Sequence, residues 1–201
     1  MAIVQVIEGK TMWRYIMLIL ALGTLTACGL PHASGGRTSA QNAVKTYVEE
    51  DRDWGIPPPD RLRNTKLHEP TPTSIPSGKV IATPALRAML STDKKPILIN
   101  VLQGKSIRTI PGSVWFNGAG VGGDFEDTTQ QKLGEKLTTL TIDDKARAMV
   151  FYCLNAECWL AYNAVLRAAQ LGYTNLYWYR GGMHAWEAFK GALIPTEDNE
   201  W

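Results

Sequence analysis

The sequence predicts an α/β protein, a parallel sheet with helices on both faces, and three observations carry that expectation. Short apolar runs of strand length, Pro96–Val101 and Ala148–Tyr152, alternate with longer segments of helical periodicity. Strands that alternate with helices argue for a parallel sheet covered on both faces. The segment from Trp159 to Leu171 is apolar on most of its circumference, with Asn163, Arg167 and Gln170 along one stripe, which describes a helix packed largely inside the molecule.

The elements follow in order. Val80 and Ile81 suggest a short strand. Thr83 with Pro84 reads as an N-cap with proline at the first helical position, opening a helix through Leu90. Pro96 to Val101 is a strand, and Ser113 to Phe116 is another after the turn signal Pro111–Gly112. Asp127 with Gln130 three residues later caps a helix carrying Leu133, Leu137 and Leu140 on one face. Ala148 to Tyr152 is a strand, the helix from Trp159 ends at Gly172, Leu176 to Tyr179 is a strand, and Gly181–Gly182 turns into a helix over Met183–Lys190.

The N-terminal third differs. Tyr15 to Ala27 carries no charge, is strongly apolar from Ile16 to Leu22, and follows Lys10 and Arg14. That is the layout of a secretory signal, too short for a permanent membrane span. Met12 is an alternative start to Met1. The run ends in Leu25–Thr26–Ala27–Cys28, which resembles the bacterial lipobox; the resemblance implies cleavage before Cys28, a diacylglycerol thioether on its sulfur, and a lipid anchor in a membrane. Gly29 after that cysteine suits the outer membrane of a Gram-negative cell. The expected organisation is a signal peptide at 1–27, a lipid-anchored tether and Pro-rich extension at 28–78, a folded domain at 79–195 and a tail at 196–201. Within the extension, Ala43–Trp54 suggests a short helix ending in Glu49, Glu50, Asp51 and Asp53. The prolines between Pro57 and Pro76 then exclude an ordinary helix or central strand, so this part is expected to lie over the domain as extended chain.

Composition bounds the function. The 201 residues are 45% hydrophobic and 20% charged with a formal net charge of +2, the profile of a globular protein able to bury its own core. No cluster of basic residues interleaves with aromatics, which argues against nucleic acid as a partner.

The chemistry concentrates in Val150–Phe151–Tyr152–Cys153–Leu154–Asn155–Ala156–Glu157–Cys158–Trp159. A strand ends in a thiol and a long helix begins just beyond, so Cys153 is expected near a helix N-terminus, where unpaired amides and the helix dipole favour an anion. The thiolate is the reactive form of cysteine, which points to sulfur chemistry at Cys153. Cys158 is either a second, resolving thiol or a small core residue. A bridge between the two would close too small a loop to serve as a framework staple.

These residues resemble the rhodanese-like family. The landmarks are the strand Ile97–Val101, Thr109–Ile110–Pro111–Gly112–Ser113, the strand–cysteine–loop–helix unit at 150–171, Leu171–Gly172–Tyr173–Thr174–Asn175–Leu176–Tyr177, and Gly181–Gly182–Met183–His184–Ala185–Trp186. The Cys158–Trp159 ending of the loop and Tyr177–Trp178–Tyr179 are similar to an exported subgroup named for a paired-cysteine–tryptophan motif and associated with pyrroloquinoline-quinone-dependent catabolism. The resemblance implies that Cys153 takes a sulfane sulfur from a donor such as thiosulfate as a persulfide and passes it to a nucleophile, with Leu154, Asn155, Ala156, Glu157 and Cys158 forming the anion-cradling loop beside Trp159. Three departures bear on that expectation. Asn100 stands where the family often has an acid. The loop lacks the usual basic residue and offers Glu157, which repels an anionic donor. Cys158 can attack a persulfide or sulfenate on Cys153 and close a disulfide.

Three functions are therefore open: a sulfurtransferase working through a Cys153 persulfide, a thiol–disulfide relay using Cys153 and Cys158, and a non-catalytic accessory of a periplasmic quinone-dependent oxidation system. The expected partner is a small sulfur compound or a thiol protein, with no cofactor and no metal. Met183 and His184, adjacent on one helix, are expected to pack rather than to ligate a metal. Gly118–Ala119–Gly120–Val121–Gly122–Gly123 matches the dinucleotide fingerprint in letters, but Asp124–Asp127 intervene before any helix signal. A mobile loop is expected there.

Overall fold

Five parallel strands form the centre of the molecule, in the order β1-β6-β5-β2-β4. They are β1 (Lys79–Val80), β2 (Ile97–Asn100), β4 (Val114–Trp115), β5 (Met149–Tyr152) and β6 (Leu176–Tyr179). The computed structural model describes residues 48–197 and 201. The expected signal segment, Cys28 and the first part of the tether lie outside the described residues. Among those described, no helix is long and apolar enough to cross a membrane.

β5 and its neighbours β2 and β6 run in register, Met149 to Tyr152 opposite Ile97 to Asn100 on one side and opposite Leu176 to Tyr179 on the other. All of β5 is buried, as its unbroken apolar run requires. Successive side chains serve opposite faces. Met149 and Phe151 pack with Leu133, Leu137, Trp159 and Val165 of the helices α3 (Thr128–Thr141) and α4 (Trp159–Gln170). Val150 and Tyr152 pack with Leu86, Met183 and Ala185 of the helices α2 (Thr83–Leu90) and α5 (Gly182–Ala188). The next residue in this alternation, Cys153, joins the α3/α4 face.

Two strands had no clear sequence signal. β3 (Ser106–Thr109) and β7 (Ile194–Glu197) pair antiparallel, Thr109 opposite Ile194, as a separate two-stranded sheet. Asp127 caps α3 as expected, its carboxylate accepting from Gln130 N at 2.7 Å. The start of α2 differs by one residue: Ala82 is the N-cap and offers no side-chain bond. The acceptor comes instead from Glu50, on the short helix α1 (Val48–Asp51), whose carboxylate takes both the backbone N–H and the hydroxyl of Thr83.

Two of the three polar residues on the stripe of α4 face inward, while Gln170 at its end is exposed. Asn163 and Arg167 are both fully buried. Asn163 donates to Gly120 O and Arg63 O and accepts from Arg63 N. Arg167 pairs with Asp127 at 2.7 Å and donates to the carbonyls of Val121 and Asp124. These bonds pin the glycine-rich segment, which is thus no dinucleotide loop and is tethered rather than free. A Cβ on Gly120 would lie 1.7 Å from Leu160 O, so only glycine lets this loop lie against α4.

Residues 52–78 run across the carboxyl ends of β5 and β6 and along α4, without regular structure apart from one isolated bridge. The guanidinium of Arg180, directly after β6, fixes this strap by donating to Glu50 O, Arg52 O and Thr71 O and to the Thr71 hydroxyl. Tyr162 of α4 donates to Pro59 O at 2.7 Å.

Candidate active site: the cysteine loop beyond β5

Cys153 directly follows β5, and Cys158 is the N-cap of α4. Cys153, expected near a helix N-terminus, lies there through its bond to Cys158, the N-cap itself. The two are joined as a disulfide with Cα atoms 6.2 Å apart, and each is about 1% exposed. Residues 154–157 arch between them. Asn155 shapes the arch, its side chain accepting from Glu157 N at 3.0 Å and its carbonyl from Cys158 N at 3.2 Å.

The far side of the arch is held by α5. Met183 N donates to Cys153 O at 3.1 Å and His184 N to Leu154 O at 3.0 Å. Gly182 permits this approach: its φ is +57°, and a Cβ there would lie 2.5 Å from Cys153 O. Met183 is buried as expected, whereas His184 is exposed, its Nδ1 3.4 Å from the Asn155 amide. Among the described residues no group of three metal-ligating side chains converges.

The strap closes the near side. Trp159 N donates to Leu67 O at 2.9 Å, His68 forms an antiparallel bridge with Cys158, and the Thr71 hydroxyl donates to Ala156 O. Trp159 is buried in the core as expected, with Arg63 of the strap stacked 4.9 Å from its ring centre and its indole N–H lacking a partner among the described residues.

Electrostatics do not favour an anion here. Leu154, Asn155 and Ala156 are neutral, and Glu157 is exposed. The amides of Glu157, Cys158 and Trp159, which could cradle an anionic donor, are spent on Asn155 and Leu67. Asn100, at the end of β2, is buried and neutral: its amide accepts from Leu102 N and donates to Thr109 Oγ1. Tyr152 lies below, its hydroxyl bonded to Thr109 and Ser113, and burial pushes its pKa up, so it stays a neutral donor. The strap contacts were not legible in the sequence, because the partners are separated by 85 residues or more, as Thr71 and Ala156 are.

What remains is a buried disulfide at the carboxyl end of a parallel sheet, where sites of such folds lie. The Rhodanese-like domain family matches residues 86–189, and the chain belongs to that family. Solved structures similar to it include a thiosulfate sulfurtransferase from Pseudomonas aeruginosa (15% identity, TM-score 0.41, covering 58% of this chain and 20% of that one). Others are a polysulfide-sulfur transferase homodimer from Wolinella succinogenes (15%, 0.42, 59% and 79%) and a protein from Bacillus halodurans (20%, 0.42, 59% and 77%). No curated protein matches the chain.

Proposed function

We propose that this protein is a rhodanese-like thiol–disulfide relay in which Cys153 and Cys158 cycle between dithiol and disulfide. The observation that carries this is the Cys153–Cys158 bridge, set in the family's loop position in place of an open thiol. The neutral-to-acidic loop and its spent amides support it, since both disfavour an inorganic anionic donor. A second reading, sulfane transfer through a Cys153 persulfide, is favoured by the family match over 86–189. The two connect chemically: Cys158 thiolate attacks Cys153 Sγ of a Cys153–S–SH persulfide, the outer sulfur leaves as hydrosulfide, and the disulfide remains.

Intact mass and peptide mapping separate them. For the relay, the protein as isolated holds the Cys153–Cys158 bridge, and the reduced form treated with excess thiosulfate without air stays reduced, with no added sulfur, whereas a bridge re-formed with release of hydrosulfide counts for sulfurtransfer. An added, cyanide-removable sulfur on Cys153 that persists in the presence of Cys158 would replace the relay by sulfurtransfer.

The sequence at Leu25–Cys28 supports export and lipidation at Cys28, which would hold the domain on a tether at the periplasmic side of a bacterial envelope. Likeness to the paired-cysteine–tryptophan subgroup supports a partner in a quinone-dependent oxidation system. Palmitate labelling that disappears in Cys28→Ser tests the anchor.

A further inference from the structure

We infer that the cysteine loop is a docking site for an extended, cysteine-bearing segment of a partner protein, that the strap residues 66–72 occupy it as a built-in substitute, and that Cys158, not Cys153, forms the intermolecular bond. This rests on the relay proposed above and names its partner class and the order of its two sulfurs.

The strap touches the loop as a substrate strand would. Its main chain supplies the acceptor for Trp159 N, and His68 stands opposite Cys158 in an antiparallel bridge. Because the bond joins the flanking residues Leu67 and Trp159, His68 and Cys158 form the narrow, non-hydrogen-bonded kind of pair, whose Cβ atoms lie about 4.5–5.5 Å apart. A cysteine at the position of His68 is thereby set beside Cys158. Leu67 packs against the core around Cys158 and Trp159, and Thr71 is fully buried, so the groove also selects an apolar residue just before the paired position and a small one three residues after it. The strap lies outside the part of the chain that the family spans, so it is an addition laid over the site. Cys158 is the N-cap of α4, and lifting the strap frees the Trp159 N–H at that end of the helix, which then favours a thiolate's charge.

The step balances as a two-electron exchange. In the reduced chain, Cys158 thiolate attacks one sulfur of a partner disulfide; an S–S bond forms between them and the second partner sulfur leaves as thiolate. Cys153 thiolate then attacks Cys158 Sγ, the intramolecular S–S bond forms, and the first partner sulfur leaves. The partner gains two electrons and ends as a dithiol, the chain loses two and ends as the disulfide, and the protons of Cys153 and Cys158 pass through solvent to the partner thiolates.

The test uses the reduced full-length protein and two disulfide probes. One is the disulfide-linked dimer of a ten-residue peptide with the sequence of residues 64–73 carrying cysteine in place of His68. The other is oxidised glutathione. The expected result is that Cys153→Ser traps the peptide on Cys158, while Cys158→Ser traps it about tenfold more slowly or not at all. Thr71→Val, which loses the hydroxyl's bonds to Ala156 O and Arg180 Nε, should raise peptide trapping in the Cys153→Ser background about tenfold and glutathione trapping under threefold. Tyr162→Phe, which frees Pro59, is the second loosened strap should Thr71→Val fold poorly. Trapping on Cys153, or equal gains for both probes, would overturn the docking inference while leaving the relay standing. If neither probe reacts with the native protein but both react after unfolding, the relay itself fails and the inference falls with it.

Discussion

Glu50 carries its carboxyl group into the seam between α1 and α2 and meets donors from Thr83 rather than a direct ion pair. Burial pushes its pKa up from 4.5 to about 7, against the opposing hydrogen bonds from Thr83. The native state therefore binds this proton more tightly than the unfolded chain does. The resulting stabilisation is complete below pH 4.5 and is lost as pH rises through about 7. Urea midpoints should fall between pH 5 and pH 8 by the equivalent of about 1–3 kcal/mol, and Glu50→Gln, which keeps an acceptor for Thr83 N, should remove most of that slope. Asp127 runs the other way. Burial raises its pKa, but bonds from Arg167 and the Gln130 N–H outweigh this and hold it below the usual carboxylate range. Its contribution is present above the ordinary aspartate pKa and fades as pH falls through its lowered value. Asp127→Asn should accordingly cost stability at pH 7 and much less at pH 2, read from thermal melts.

The connections between elements are where single changes cost most. Gly182→Ala forces a side chain onto Cys153 O at a positive φ, and the two amide bonds from α5 to the loop cannot both survive it. The variant should lose about 2 kcal/mol or more in urea unfolding and expose the disulfide to faster reduction by dithiothreitol. Arg167→Met should lose about 1–3 kcal/mol, because the half-buried Asp127 and the carbonyls of Val121 and Asp124 lose a shared, fully buried donor. The strands and helices of the central sheet were legible because each is coded locally, by an apolar run or by a cap such as Asp127. The cap of α2 was not, since Glu50 reaches Thr83 from 33 residues away. β3 and β7 escaped for the same reason: each is short, and each becomes a strand only against the other, Ser106 opposite Glu197. Periodicity placed Asn163 and Arg167 on one stripe of a mostly buried helix but could not name their partners. Backbone carbonyls supplied by other segments make those two residues internal.

In the whole molecule, the strap decides what can reach the sulfurs. The position of Cys153 after an apolar strand was readable from residues 149–153, but the cover over its partner Cys158 comes from chain folded back at Leu67 and His68. Arg180 is the fastening, and Arg180→Met should leave the sheet intact by circular dichroism while limited proteolysis cuts within residues 52–72 at least about tenfold faster than in the parent. Arg180 holds the strap mainly by main-chain oxygens, at Glu50, Arg52 and Thr71, and Leu67 meets Trp159 in the same way. A ribbon gripped by its carbonyls imposes little on the letters it carries. An exposed position such as His68 is thus at liberty to drift, so the cover can be rewritten while the lock beneath it stays unchanged.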